Sequence, residues 1–350
     1  MQPSERGLFV FVLQTGYFLS PLMVAGRERA LVAGLRPIRL ARAPVVVFSI
    51  MALLLPGVLV SLPSFTWSIV ILPSVVGAMS LTRLLEARVI GKSDTSALLR
   101  LRGLSLAVLL VSGIGLVGFE VENFRFWVLT NVASLLLPVS LIWPTDLRQK
   151  GPRRYDHLVP LTIADLAATV VNRSDRLLMG LFQQNASLGS YSLVASTLEI
   201  ATMPSLLMSQ LVSNKERRLT KRFVVLSSGL SLVASAIAML LGPTFFAAIF
   251  SASYGVSKTL WVLTGLSAWM FVTYRLLLSV LLRNLCFSEV MKAELVSATV
   301  AIFVFLVFIP KFSAYGAAVG TAVSSLSGVI VALSLGARSR RARSLGNFMI

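Results

Sequence analysis

Seven ionisable side chains lie within stretches of this sequence that are otherwise apolar, and they are the residues best placed to do chemistry. A charged side chain in the hydrocarbon of a membrane costs about 2.5–3.5 kcal/mol on insertion scales, so such residues usually face a cavity or a charged partner. Two asparagines, Asn131 and Asn172, add uncharged polarity to the same stretches. The seven charged residues are Asp165, Arg173, Asp175, Arg176, Glu199, Arg275 and Glu294.

The three arginines, Arg173, Arg176 and Arg275, predict a cationic lining for an anionic substrate. The planar guanidinium fork can bind two oxygens of one phosphate at the same time, which makes arginine well suited to phosphoryl groups. The competing interpretation is that each arginine forms an internal ion pair that holds helices together and touches no substrate.

The four acidic residues could likewise have either a functional or a structural role. Glu199, Asp165 or Glu294 could serve as a protonation or cation-coupling site. Asp175 fits better as an ion-pair partner, and Arg275 and Glu294 could pair because both lie toward the inner halves of their spans. Asp165 and Glu294 are also close enough to the predicted cytoplasmic face to reach water.

Helical spacing groups some of these side chains. Asp165, Asn172 and Arg176 are separated by seven and four residues, which places them on one stripe of an α-helix. Arg173 precedes Arg176 by three residues and shares its side, whereas Asp175 is rotated by about 100° from Arg176.

The composition indicates a membrane protein. Of 350 residues, 56% are hydrophobic and 13% are charged, with a mean hydropathy of +0.84, whereas soluble domains are typically about 45–50% apolar and about 25% charged. The chain has one cysteine, Cys286, and one histidine, His157. These counts exclude an intramolecular disulfide and argue against a thiolate or histidine metal site. We expect no cofactor, no metal and no enzymatic activity.

We predict an all-α, polytopic membrane protein with about eleven transmembrane helices. A spanning helix needs about 20 mostly apolar residues. The predicted spans are 7–26, 43–63, 66–86, 101–119, 124–144, 158–182, 187–211, 222–242, 258–283, 290–309 and 315–336.

The loops between these spans predict the orientation. Most of the 32 basic residues fall in alternate loops and in the tail after residue 337. Cytoplasmic loops carry the excess of Lys and Arg, so we expect a cytoplasmic C-terminus and an N-terminus outside, in a bacterial inner membrane. The net charge of +18 then reflects this bias and an attraction to anionic lipids, and not a nucleic-acid partner.

The polar loop 145–157 divides the chain into two predicted lobes. Residues 1–150 hold about five spans, and residues 151–350 hold about six spans and the basic tail. The sequence Ser20-Pro21-Leu22-Met23, followed by basic residues, is echoed by Pro204-Ser205-Leu206-Leu207-Met208, also followed by basic residues. This echo favours two pseudo-repeat bundles, since internal repeats recur in secondary transporters; chance could also produce it.

Three stretches of the second half resemble bacterial polysaccharide flippases, which share a superfamily with the multidrug and toxic-compound exporters and the lipid II flippases. The match extends over about residues 158–340, whereas the first 150 residues match by topology alone. The stretches are Asn172-Arg173-Ser174-Asp175-Arg176-Leu177-Leu178-Met179-Gly180 with Leu188-Gly189-Ser190-Tyr191, the segment 245–263, and Ile309-Pro310-Lys311 with Tyr315-Gly316-Ala317-Ala318-Val319-Gly320.

The resemblance implies two lobes around a cavity that opens alternately to each side of the membrane. It implies that the substrate is a polyprenyl-diphosphate-linked oligosaccharide, that Arg173 and Arg176 are cavity cations, and that polysaccharide polymerase or assembly proteins are partners. Arg275 joins them by its intramembrane position. The family has at least twelve helices, so we expect this chain to lack a counterpart of the first.

Three alternatives remain open from the sequence. A multidrug or metabolite exporter of the same superfamily would use acidic residues for cationic substrates. A membrane-embedded enzyme would need a catalytic constellation, often on a large outer loop, and the predicted outer loops are short. A shortened, non-transporting member of a polysaccharide assembly complex would need no substrate site.

Overall fold

The computed structural model describes residues 3–24, 64–91, 95–121, 123–142, 158–182, 184–212, 221–249, 256–284 and 286–346. These ranges form ten α-helices and contain no β-strand. The helices are α1 (Pro3–Val24), α2 (Ser64–Gly91), α3 (Thr95–Gly118), α4 (Phe124–Ile142), α5 (Leu158–Leu181), α6 (Asn185–Val212), α7 (Lys221–Ile249), α8 (Lys258–Arg283), α9 (Phe287–Phe312) and α10 (Ala314–Gly346).

Each predicted span within these ranges coincides with a helix, which confirms the all-α fold class. The predicted span 43–63, the loop 145–157 and His157 lie outside the described residues. Within the described part of the chain, six helices are long and apolar enough to cross a membrane: α3, α6, α7, α8, α9 and α10. Helix α7 runs seven residues further than predicted, through Pro243 to Ile249, because membrane helices tolerate an internal proline.

Helices α5, α6, α8, α9 and α10 share one large apolar cluster, and α7 packs against α6 and α8. Residues of α5, α6, α9 and α10 meet around Phe305, which is fully buried. A second cluster joins α5, α8, α9 and α10 around Tyr274. The intramembrane charges of α5, α6, α8 and α9 are thereby fixed on neighbouring helices.

Helix α1 connects this bundle to the first helices of the chain. On one side it packs against α2 and α4 through Val12 and Leu13. On the other it packs against α5 and α6, where Val10 joins the cluster around Phe305. Contact with α5 brings α1 beside the helix that carries most of the predicted site.

Two glycines permit the close approach of α1 to its partners. A Cβ atom at Gly7 would lie 2.1 Å from the backbone oxygen of Asn185, and one at Gly180 would lie 2.2 Å from the ring of Phe11. No side chain fits at such distances, so the Pro3 end of α1 lies tightly against the end of α5 and the start of α6.

The outer surface of several helices is apolar. Helix α3 exposes Leu106 and Ile114, and Phe119 in the turn that follows it is exposed at 85%. A soluble protein rarely exposes so continuous an apolar surface, whereas a helix in contact with lipid is expected to do so.

Candidate functional site

The last two turns of α5 present a run of polar and charged side chains to a cavity inside the helix bundle. Asn172, Arg173, Asp175 and Arg176 all line it. The cavity has a volume of about 430 Å³ and is bounded mainly by α5, α6 and α8. The helix therefore gathers four of the nine predicted site residues, including Asp175, whose rotation from Arg176 did not remove it from the site.

Glu199 of α6 is the acid around which the two arginines of α5 converge. Arg176 donates a hydrogen bond from Nη2 to Glu199 Oε1, and Arg173 Nη1 lies 3.6 Å from the same oxygen. The Arg176 side chain is only 5% exposed, whereas that of Glu199 is 42% exposed. The carboxylate thus neutralises a buried cation while one of its faces remains open to the cavity.

Tyr17 of α1 supports Arg173 from the other side. The Arg173 guanidinium carbon lies 4.5 Å from the centre of the Tyr17 ring, a geometry suited to a cation–π interaction. Helix α1 therefore contributes directly to positioning one of the cavity cations, and does so from the N-terminal part of the chain.

Asp175 is held by a neighbour on α6. The Tyr191 hydroxyl donates a hydrogen bond to Asp175 Oδ2 at 2.7 Å. Asp175 Oδ1 and Arg176 Nε are both buried and have no hydrogen-bond partner in the described structure. Buried polar atoms are usually satisfied by protein, water or ligand, so this end of the cavity has unused capacity for a donor at Asp175 and for an acceptor at Arg176.

Arg275 and Glu294 form the ion pair that the sequence suggested. Arg275 Nη1 donates to Glu294 Oε1 at 2.8 Å, and Tyr274 donates to Glu294 Oε2 at 2.9 Å. Arg275 lines the cavity and its side chain is 30% exposed, whereas Glu294 is fully buried behind it. Pairing and cavity lining are therefore compatible in Arg275.

Three predicted residues lie apart from the cavity lining. Asn131 is on α4, and Asp165 is on α5 about two turns before the cavity run; neither lines the cavity, and neither does Glu294. Asp165 is 3% exposed and Glu294 is 0% exposed, so the expectation that these two acids reach water is wrong. Each is enclosed by neighbouring helices.

Arg102 of α3 is a cavity residue that the sequence analysis missed. It lines the cavity, and its Nη2 donates to Glu86 of α2 at 3.0 Å. The sequence places it at the start of a span among other basic residues, where it was indistinguishable from the charges that determine topology. The available signal was Glu86, an acid within the preceding apolar stretch.

The cavity lining carries both arginines and carboxylates. Four arginines line it, and each lies beside at least one carboxylate: Glu86, Asp175, Glu199 or Glu294. Two of these acids, Glu86 and Glu294, are not part of the lining, so an entering solute meets more positive than negative groups. The guanidinium groups of Arg173 and Arg176 are the kind of donor that binds phosphate oxygens, and Glu199 is the acceptor that such oxygens would have to replace.

Among the residues that the structure describes, no three His, Cys, Asp or Glu side chains group as metal ligands.

Comparison with known proteins identifies the fold. No protein-family model and no curated protein matches the chain. Among solved structures, the chain is similar to an outward-facing multidrug resistance MATE transporter of the MOP superfamily, with 12% identity and a TM-score of 0.53 over 96% of this chain and 86% of that one.

Two further structures have the same fold. The lipid II flippase MurJ, in an inward closed conformation, matches with 11% identity and a TM-score of 0.54 over 95% of this chain and 85% of that one. The MATE transporter ClbM in complex with Rb+ matches with 13% identity and a TM-score of 0.52 over 94% and 84%. The chain is therefore a multi-pass membrane protein with the fold of MOP-superfamily transporters, and its solved neighbours are transporters and not enzymes. The narrower resemblance to polysaccharide flippases stays a prediction.

Proposed function

We propose that this protein is a membrane transporter that moves a lipid-linked oligosaccharide, bearing a diphosphate, across the membrane by alternating access. The observation that carries the proposal is the convergence of Arg173, Arg176 and Arg275 on one cavity. The fold supports the transport activity, because its solved neighbours include a lipid II flippase and MATE transporters.

The pattern of burial supports an anionic substrate. A buried ion pair with no further role is weak evidence for stability, because removing two charges from water is expensive. Here the arginines keep access to the cavity, with side-chain exposures of 18% for Arg173 and 30% for Arg275. An anion could therefore reach both guanidinium groups without unfolding the bundle.

The shape of the cavity supports entry from one side. The lining extends along α6 to Ser209, near the Val212 end. At the opposite end, Gly7 and Gly180 allow α1 to pack closely against α5 and α6. In the predicted orientation this Val212 end of α6 faces the cytoplasm, where we expect a lipid-linked substrate to be loaded.

Glu199 fits this proposal as a counter-ion that the substrate displaces. When the cavity is empty, the carboxylate neutralises Arg173 and Arg176. When a diphosphate enters, it takes over the two cations and leaves Glu199 facing the cavity. This exchange avoids a state in which two arginines are buried without a partner, which would cost several kcal/mol.

A multidrug exporter for cationic substrates is the second candidate. The 42% exposure of the Glu199 side chain favours it, since an exposed carboxylate in a transporter cavity can bind a cation directly. The four surrounding arginines oppose it, because they repel the same cation.

The test uses the native host with this gene deleted. Polyprenyl-linked oligosaccharides are extracted, and completed repeat units are expected to accumulate on the cytoplasmic side. Complementation with wild type should remove the accumulation, and complementation with Arg173→Ala/Arg176→Ala should not. A matched control, Lys258→Ala/Lys311→Ala, removes two exposed positive charges outside the cavity lining and should behave as wild type.

Unchanged lipid-linked intermediates and unchanged surface glycan in the deletion strain would overturn the proposal. Accumulation that the double arginine variant rescues fully would show that the cavity cations are not needed, and would refute the site assignment.

A further inference from the structure

We propose that Arg102 and Glu86 form a reception subsite for the diphosphate, contributed by the N-terminal half of the chain and separate from the Arg173–Arg176 site. The inference rests on the proposed function and adds a second binding position to it. Arg102 is the cavity arginine that comes from α3, whereas Arg173, Arg176 and Arg275 come from α5 and α8.

The position of Arg102 follows from the packing of α3 against the end of α6. Leu207 of α6 packs against a cluster that contains Leu98 and Leu101, and Leu101 directly precedes Arg102. Leu207 and Arg102 line the same cavity. Arg102 therefore lies beside the last turns of α6, at the end of the cavity lining that reaches Ser209.

This position is well separated from the central cations. Leu207 follows Glu199 by eight residues on a continuous helix, which corresponds to about 12 Å along its axis. The proposed subsite at Arg102 is therefore offset along α6 from the Arg173–Arg176 pair. A substrate that enters from the Arg102 end would meet this cation first and the central pair second.

The chemistry of Arg102 suits an exchangeable anion site. Its contact with Glu86 occupies Nη2 at 3.0 Å, and both side chains are about one-fifth exposed. Its Nε is buried and has no hydrogen-bond partner in the described structure. The guanidinium group therefore keeps donors available for phosphate oxygens, and Glu86 acts as the internal anion that a diphosphate replaces, as Glu199 does at the central site.

Pairing with Glu86 affects how Arg102 interacts with the headgroups of anionic lipids. A lone arginine at the end of an apolar helix would bind the headgroup of any anionic lipid. Pairing with Glu86 weakens such nonspecific binding, and a diphosphate, with its higher charge, competes better with the carboxylate than a singly charged phosphodiester does.

The test measures binding of inorganic pyrophosphate to the full-length protein in phosphatidylcholine nanodiscs by calorimetric titration. Wild type should show two binding steps. Arg102→Gln should lose one step, and Arg173→Ala/Arg176→Ala should lose the other. Glu86→Gln should retain both steps and tighten the Arg102 step about tenfold, because the internal competitor is gone; tenfold corresponds to about 1.4 kcal/mol.

The Glu86→Gln variant separates binding from structure. If the pair only held α2 against α3, Arg102→Gln would leave both steps unchanged and Glu86→Gln would tighten neither. Arg100→Gln is the matched control, since it removes an exposed arginine from the same helix outside the cavity lining, and it should retain both steps.

The outcomes distinguish this inference from the proposed function. Two unchanged steps in Arg102→Gln would overturn the reception subsite and leave the central site standing. No binding to wild type would overturn both. The titration is repeated with phosphatidylglycerol in the nanodiscs: persistence of the Arg102 step supports a diphosphate subsite, and its loss would overturn the inference by assigning Arg102 to bulk anionic lipid.

Discussion

Replacing Glu199 by glutamine is expected to lower the stability of the protein without ligand and to raise its affinity for anions. Glu199 is the counter-ion that Arg173 and Arg176 share. At 3.6 Å, a unit-charge pair with an effective dielectric constant of about 20 is worth roughly 4–5 kcal/mol. Because Glu199 is 42% exposed, water screens much of this, and we expect the free energy of unfolding to fall by about 2 kcal/mol.

The same substitution should raise the affinity for pyrophosphate. In wild type the anion must displace the carboxylate, whereas in Glu199→Gln the two guanidinium groups are already free of it. A gain of about tenfold, or about 1.4 kcal/mol, is expected. Pyrophosphate at a fixed high concentration should therefore stabilise the variant more than it stabilises wild type. The stabilisation of the folded state grows with the logarithm of the ratio of free ligand concentration to Kd, and the variant has the lower Kd.

The assay is thermal unfolding of purified protein in detergent, with and without pyrophosphate. The expected pattern is crossed: the variant melts a few degrees lower than wild type without the anion and gains more from it. Glu120→Gln, which removes an exposed glutamate from the turn after α3, is the control and should melt as wild type does. Weaker pyrophosphate binding by Glu199→Gln would refute the exchange between carboxylate and phosphate.

Three further substitutions test how the site is held. Tyr17→Ala should lower the free energy of unfolding by about 0.5–2 kcal/mol, because Arg173 loses its contact with the ring. Tyr17→Phe keeps the ring and should unfold at the same temperature as wild type. Equal losses of stability in both variants would contradict the cation–π contact. Gly7→Ala should reduce the yield of folded protein, because its Cβ would lie 2.1 Å from a backbone oxygen. Gly115→Ala is the control and should not reduce the yield, since its Cβ would have no atom within 4 Å. Size-exclusion chromatography of both variants measures the yield. Glu294→Gln removes the buried counter-ion of the half-buried Arg275, and a fall of about 3 kcal/mol in unfolding free energy is expected. An unchanged denaturation midpoint would contradict the pairing.

The helices were predictable because hydropathy is a local property of the sequence. A spanning segment must be apolar along its whole length, so the composition of each stretch indicated its structure without knowledge of its neighbours. The start of α7 was predicted well and its end was not, since Pro243 is compatible with either a loop or a continuing membrane helix.

The pairing of charges was predictable only where depth alone limited the choice. Arg275 and Glu294 lie at similar depths in adjacent spans, and the structure confirms their ion pair. The convergence of Arg173 and Arg176 on Glu199 depends on how α5 and α6 rotate about their axes. That rotation is determined by packing with other helices, which no local pattern in the sequence records.

Arg102 shows the limit of reading charge from position. Near the end of a span, the same residue type can determine topology, bind lipid or line a cavity. Its role in the cavity follows from the contact between Leu207 and the start of α3, a contact between residues more than one hundred positions apart.

The proposed role of Arg173 and Arg176 is to bind the diphosphate of a saccharide-linked lipid as it crosses the membrane. The most direct measurement reconstitutes the purified protein in liposomes with a short isoprenoid diphosphate-linked saccharide, and follows how much of it becomes accessible to periodate added outside. Wild type should make the inner-leaflet fraction accessible with time, and Arg173→Ala/Arg176→Ala should leave it protected, as in protein-free liposomes. Protection of that fraction by wild type, or equal exposure by the double variant, would contradict the account.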